Sequence, residues 1–188
     1  MKKLTILAVM MVATLTASAQ QGTGTWSITP KVGLNLANFS GDVNGNSIKL
    51  GLVAGADAMY QISSIVGISA GLHYSMQGAS FDNDAKNKID ELNIPVLANF
   101  YVAKGLALKV GLQPGFIMSA KSKADKVEVD IKGNCQSIEL SVPLGLSYEF
   151  SDFVIDGRYN LGVSKINKNS GSVRNSVIQF TVGYKIPL

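Results

Sequence analysis

The stretch Ser137-Ile138-Glu139-Leu140-Ser141-Val142-Pro143-Leu144-Gly145-Leu146-Ser147-Tyr148-Glu149-Phe150 alternates without a break. Ile138, Leu140, Val142, Leu144, Leu146, Tyr148 and Phe150 fall on one face, and Ser137, Glu139, Ser141, Pro143, Gly145, Ser147 and Glu149 on the other. A period of two is the mark of a β-strand whose two faces meet different surroundings. Strands of soluble domains run to about 5–6 residues. This one is about twice as long, and a tilted strand needs about 9–11 residues to cross a bilayer.

The same pattern recurs over residues 27–37, 48–61, 65–77, 90–102, 105–119, 137–149, 153–164 and 174–187. No sustained helical period competes with it, and no later apolar run is long enough for a membrane helix. Between the segments, short links and long ones alternate. The short links are Ser63-Ser64, Ala103-Lys104-Gly105 and Ser151-Asp152; the long ones span 38–47, 78–89, 120–136 and 165–173. Tight turns on one side and longer loops on the other are the habit of an up-and-down barrel in an outer membrane. The expected fold is all-β: an eight-stranded antiparallel up-and-down transmembrane β-barrel.

The chain starts with an address. Lys2 and Lys3 precede a nearly continuous apolar run, Leu4 to Leu15, and Ala17-Ser18-Ala19 offers a cleavage site. The run is too short to span a bilayer as a helix. Residues 1–19 read as a signal peptide and 20–188 as one barrel domain. No cysteine follows the cleavage site, so lipidation there is not expected. Of 17 basic and 13 acidic residues, two lysines leave with the leader, and the remaining net charge is +2. That balance gives no reason to expect nucleic acid. A lone Cys and a lone His make structural zinc or a CxxC site untenable.

Alternation alone does not say which face looks inward. A soluble lipocalin-like carrier would put the apolar face inside, around a greasy ligand; a membrane barrel would turn it to lipid. The apolar face carries Val32, Leu34, Leu50, Leu52, Ile68, Leu72, Ile94, Val96, Leu108, Val110, Leu112, Leu140, Val142, Ile155, Leu161, Ile178 and Val182. The other carries Gly, Ser, Asn and Gln with few charges. These are Asp57, Glu91, Glu139, Glu149 and Asp156 against Lys31, Lys49, Lys109, Arg158 and Lys185, with His73 beside them. Such a neutralised set suits a closed interior, where a charge must be paired. We therefore expect a polar lumen with a structural charge network. Aromatics are expected in two girdles. Tyr60, Phe100, Tyr101, Tyr148, Phe150, Phe153 and Tyr184 lie near the short turns, and Phe39, Tyr74, Phe81, Phe116 and Tyr159 near the long loops. Pro95, Pro114 and Pro143 interrupt strand patterns and are expected to mark bulges. Glycines at Val32-Gly33, Val66-Gly67, Val110-Gly111, Leu144-Gly145 and Val182-Gly183 form a weak repeat on the inward face.

Four segments carry a family resemblance. They are Lys31-Val32-Gly33-Leu34-Asn35-Leu36-Ala37-Asn38-Phe39-Ser40-Gly41, Glu91-Leu92-Asn93-Ile94-Pro95-Val96-Leu97, Gly111-Leu112-Gln113-Pro114-Gly115-Phe116 and Asp156-Gly157-Arg158-Tyr159-Asn160-Leu161-Gly162. Together they resemble the small outer-membrane β-barrel proteins labelled "porin family protein" or outer membrane protein β-barrel domain, over essentially the whole mature chain. The resemblance implies a place in the cell outer membrane, contact with its lipid, and insertion by the barrel-insertion machinery. Many such barrels end in an aromatic residue; this chain ends Tyr184-Lys185-Ile186-Pro187-Leu188.

Chemistry is hard to build from these residues. His73 could serve Ser69 or Ser75 as a base, with Asp57 or Glu91 as orienter. Side chains alternating along one strand line a wall instead of surrounding a substrate, so a hydrogen-bonded histidine is expected and no enzyme. Asp82-Asn83-Asp84 starts like a calcium loop but lacks the later glycine and glutamate. No cofactor is expected, and Cys135 reads as a free or packed thiol. The leading function is an integral outer-membrane barrel with a structural or surface-interaction role. Its lumen is plugged by polar side chains, and partners would be met through the loops 38–47, 78–89, 120–136 and 165–173. A narrow porin-like channel for ions or small solutes is the alternative, and the soluble carrier of an apolar ligand comes third.

Overall fold

The computed structural model of the protein describes residues 22–42, 45–81, 86–124, 127–168 and 172–188. The expected leader, 1–19, lies outside the described residues, as do Asp82, Asn83, Asp84, Asp125 and Lys126. The strands are β1 (Trp26–Gly41), β2 (Asn46–Ser47), β3 (Lys49–Ser63), β4 (Val66–Phe81), β5 (Lys86–Asn93) and β6 (Val96–Ala103). They continue with β7 (Leu106–Ala124), β8 (Val127–Asp130), β9 (Ile138–Phe150), β10 (Phe153–Gly162), β11 (Val173–Tyr184) and β12 (Ile186–Pro187). No helix among the described residues is long and apolar enough to cross a membrane.

Eight staves make the wall, because β5 and β6 are one stave opened at Ile94 and Pro95. Each stave pairs antiparallel with the next in chain order, and β11 returns to β1, from Lys31↔Gly183 to Gly41↔Val173. Closure leaves the wall no free edge, as a bilayer requires, and where β3 and β4 separate the Met76 and Gln77 carbonyls accept from the Asn35 and Lys49 side chains. The turns after β6 and β9 use Gly105 (φ 75°) and Ser151 (φ 52°), the left-handed backbone that tight hairpins need.

The apolar face points out. Val32, Leu50, Leu52 and Ile155 are 64%, 68%, 60% and 56% exposed, while their strand neighbours Lys31, Val53 and Asp156 are buried. A soluble monomer does not turn so continuous an apolar surface to water. The carrier reading, with its greasy interior, is thereby removed. Trp26, Tyr60, Phe100, Phe150, Phe153 and Tyr184 project outward near the short turns, and Tyr74, Phe116 and Tyr159 near the other end. Three aromatics expected in the girdles turn inward instead, one of them Phe81, half-buried against Phe39. Tyr101 and Phe39 share the parity of inward residues and are 7% and 8% exposed.

The long loops are shorter than expected. β1 runs on to Gly41, β4 to Phe81 and β7 to Ala124, while β5 begins at Lys86 and β8 folds back on β7. Much of 78–89 and 120–136 is therefore hairpin, because residue pairs such as Asn87↔Ser122 and Ser122↔Val129 continue the ladders beyond the apolar band. The prolines do not shift register. Asn93↔Gly115 and Val96↔Leu112 keep one offset across Pro95, and Pro114 and Pro143 pair in step with Leu140 and Asn160. Each lacks a donor but still accepts or pairs: the Gly71 amide donates to the Pro95 carbonyl and the Ile94 amide to that of Pro114, both at 2.9 Å. The bulges lie at Gln61/Ser63, Asp90/Glu91 and Tyr101/Ala103 instead.

Candidate functional site

Eight staves enclose a space about as wide as the side chains that fill it. In this barrel the filling has three levels. Nearest the short turns, Lys185 donates to Glu149 at 2.6 Å and the Tyr101 hydroxyl donates to the same carboxylate at 2.7 Å. Next come two ion clusters. Asp57 holds Lys31 at 2.5 Å and the His73 Nε2 at 2.7 Å. Asp156 accepts from Lys109 at 2.6 Å and lies 3.2 Å from the Arg158 Nε. A cavity among Thr29, Lys31, Asp57, Asn99, Lys109 and Glu149 measures about 20 Å³, room for about one water.

The third level holds acids and amides. Glu91 and Glu139 are 0% and 3% exposed, and one Asn175 amide donates to both, at 2.9 and 2.7 Å. Gln77 donates to Glu91 at 2.8 Å, and Asn35 and Gln77 both donate to the Ser75 hydroxyl. Among the described residues neither carboxylate forms an ion pair with a basic side chain.

The structure thus buries Lys31, Asp57, His73, Glu91, Glu139, Glu149, Asp156, Arg158 and Lys185 along one lumen, with the Lys109 side chain nearly buried among them. Lys49 stands apart. It is half-buried at the outer rim, and its ammonium donates to the Gln77 carbonyl at 2.8 Å. Its parity is that of the lumen, but it sits where the β3–β4 ladder has ended, so the side chain escapes to the rim. His73 is not aimed at a serine: Ser75 is held by Asn35 and Gln77, and Ser69 by Asn99 at 3.0 Å.

Above the acids the lumen turns apolar. Phe39, Ala79, Ile89, Ile117, Ala120, Cys135 and Ile166 form a buried cluster that caps the outer end. On the sequence most of this region reads as loop, and the cap is not expected. The signal was present, since Phe39, Ile89 and Ile117 keep the inward parity of Lys31, Glu91 and Gly115. Burial pushes the Cys135 thiol up. Thiolate is the reactive form, so a maleimide should label Cys135 slowly in the folded barrel and rapidly after denaturation. Equal rates in the two states would show that the cap does not cover it.

Comparison with known proteins agrees with this architecture. The model of the outer membrane protein beta-barrel domain matches residues 5–185. Neisserial surface protein A has a similar structure, with TM-score 0.57 and 17% identity over 88% of this chain and 100% of that one. Ail, the attachment invasion locus protein of Yersinia pestis, gives 0.54 and 16% over 88% and 100%. OprG of Pseudomonas aeruginosa gives 0.51 and 14% over 90% and 99%. No curated protein matches the chain.

Proposed function

Since this chain belongs to the outer membrane protein beta-barrel domain family, we propose that it works as a closed barrel of the cell outer membrane. In this reading it anchors in lipid and presents its outer hairpins to partners at the surface. Residence in the outer membrane and contact with lipid follow from the family. The plugged lumen is our reading of the site.

The observation that carries it is the filled interior. Lys185 with Glu149 at one level, and Lys31 with Asp57 and Lys109 with Asp156 at the next, fill the lumen, and an apolar cluster covers the outer end. A permeant ion would have to break buried pairs and then cross an unhydrated apolar layer, and both steps are costly. The strand that ends at Tyr184 would be offered to the barrel-insertion machinery during assembly. The surface role would fall to the β4–β5 and β7–β8 hairpins, whose ladders run on to Ser80↔Lys86 and Ala124↔Val127.

The test is conductance of the refolded mature chain in a planar bilayer. Folding is confirmed by a mobility difference between boiled and unboiled samples. We expect the shift and no reproducible current steps. Steady steps from shifted protein would overturn the plugged reading and establish the channel.

A further inference from the structure

Four lysines face one another across the outer end of one ladder. Lys86 is opposite Lys123 and Lys88 is opposite Lys121. Like charges directly opposed in a sheet destabilise it. Strand parity would not put them together. Along β7 the outward residues are Leu108, Val110, Leu112, Phe116 and Met118, so unbroken alternation would turn Lys121 and Lys123 into the lumen. The bulge opposite Asp90/Glu91 inserts one residue between Ile117 and Ser119. Beyond it Ala120 is buried and Lys121 is exposed. The bulge therefore brings these lysines to the same outer face as Lys86 and Lys88.

This face lies at the top of the apolar band. A groove of about 460 Å³ has Lys49, Lys88 and Lys121 with Asp90 and Glu128 above and Leu50, Leu52 and Met76 below. It overlies the interval where β3 and β4 part, between Val53↔Ser75 and Ser47↔Ser80. Glu128 meets Lys121 at 2.8 Å and Lys88 at 3.6 Å, yet both lysine side chains stay nearly half exposed. The Lys121 ammonium beside it holds the Glu128 carboxyl below its ordinary range. The groove itself is lined by three lysines (Lys49, Lys88 and Lys121) and two carboxylates (Asp90 and Glu128), and the flanking Lys86 and Lys123 against Asp130 bring the local surplus to two positive charges.

We propose that this groove binds the phosphate-bearing headgroup of an outer-leaflet lipid, with the acyl chains lying on Leu50 and Leu52. Charge at headgroup height and apolar wall below match such a lipid at both ends. Phosphate oxygens would sit between opposed ammonium groups and relieve their repulsion through charge-assisted hydrogen bonds. The inference does not depend on whether the lumen conducts.

The test uses the full mature chain refolded in phosphatidylcholine vesicles doped with lipid A or with its dephosphorylated form. Retained lipid is counted by native mass spectrometry after detergent extraction. We expect lipid A to be retained and the dephosphorylated form lost. The K88Q/K121Q variant should retain lipid A roughly tenfold less, since basic residues near the surface each add to anionic-lipid affinity. K104Q, altered at a short turn on the opposite side, should retain it as the parent does. Equal retention of the two lipid forms, or of lipid A by K88Q/K121Q, would overturn the proposal. So would complete displacement of lipid A by inorganic phosphate alone, which would make the groove a site for the free anion. The lipid comparison needs no variant and stands even if K88Q/K121Q folds poorly.

Discussion

Asp156→Ala should lose about 3–5 kcal/mol of stability, the usual effect of removing one partner from a buried ion pair. Asp156 is 1% exposed and is the acid shared by Lys109, at 2.6 Å, and Arg158, at 3.2 Å. Truncation leaves two buried cations with no acid in contact. The guanidinium has no compensation in reserve, because none of its nitrogens meets hydrogen-bond geometry with another described residue. The measurement is denaturant unfolding in lipid vesicles, read by the heat-sensitive gel shift. Glu139→Gln is the contrast that isolates charge from packing. Glu139 shares the Asn175 amide with Glu91 and has no basic partner among the described residues. Its amide analogue keeps an acceptor for Asn175 and removes one of two like charges, so it should stay within about 1 kcal/mol of the parent. If both variants lose similar stability, lumen packing governs and the ion pairs are incidental. If neither does, the lumen holds enough water to screen its charges.

The alternation at 137–150 made the fold legible because a barrel wall imposes one rule on every stave, lipid outside and lumen inside. That rule depends only on residue parity, and parity is written in the chain. It also picked out Lys31, Asp57, Glu91, Glu139, Asp156 and Arg158 as a group. Which of them touch was not legible. Contacts across the lumen, such as Glu149 with Lys185 or Asn175 with Glu91, depend on how staves far apart in sequence are staggered. Lys49 shows the limit of parity, since a ladder that ends early frees the side chain from its assigned face. The lysines of β7 show a second limit, because one bulge reverses parity for every residue beyond it. Tyr101 shows a third. An aromatic near a strand end reads as a membrane anchor, but an inward position with Glu149 in reach of its hydroxyl makes it part of the lumen.

Gly33→Val should prevent closure in a large fraction of molecules. Gly33 lies in β1 between Val53 on β3 and Thr181 on β11, at the seam where the last stave meets the first. A Cβ built there would overlap the Phe180 carbonyl oxygen and lie 2.7 Å from the Thr181 Cα. Backbone cannot rotate aside as a side chain can. The substitution must therefore push β11 away from β1 or distort both. Overpacking in a well-filled core costs about 1–3 kcal/mol, and an obstacle made of backbone places this change at the upper end or beyond. The expected readout is loss of the unboiled, fast-migrating band in favour of the unfolded one. Gly157→Ala is the control. Its Cβ would meet only the Phe180 ring, at 3.4 Å, an ordinary contact with a movable side chain. That variant should fold as the parent does. If Gly33→Val folds equally well, the β1–β11 seam is looser than the other ladders, and the barrel can tolerate an imperfect closing pair. If Gly157→Ala fails as well, intolerance extends beyond the seam to the whole wall.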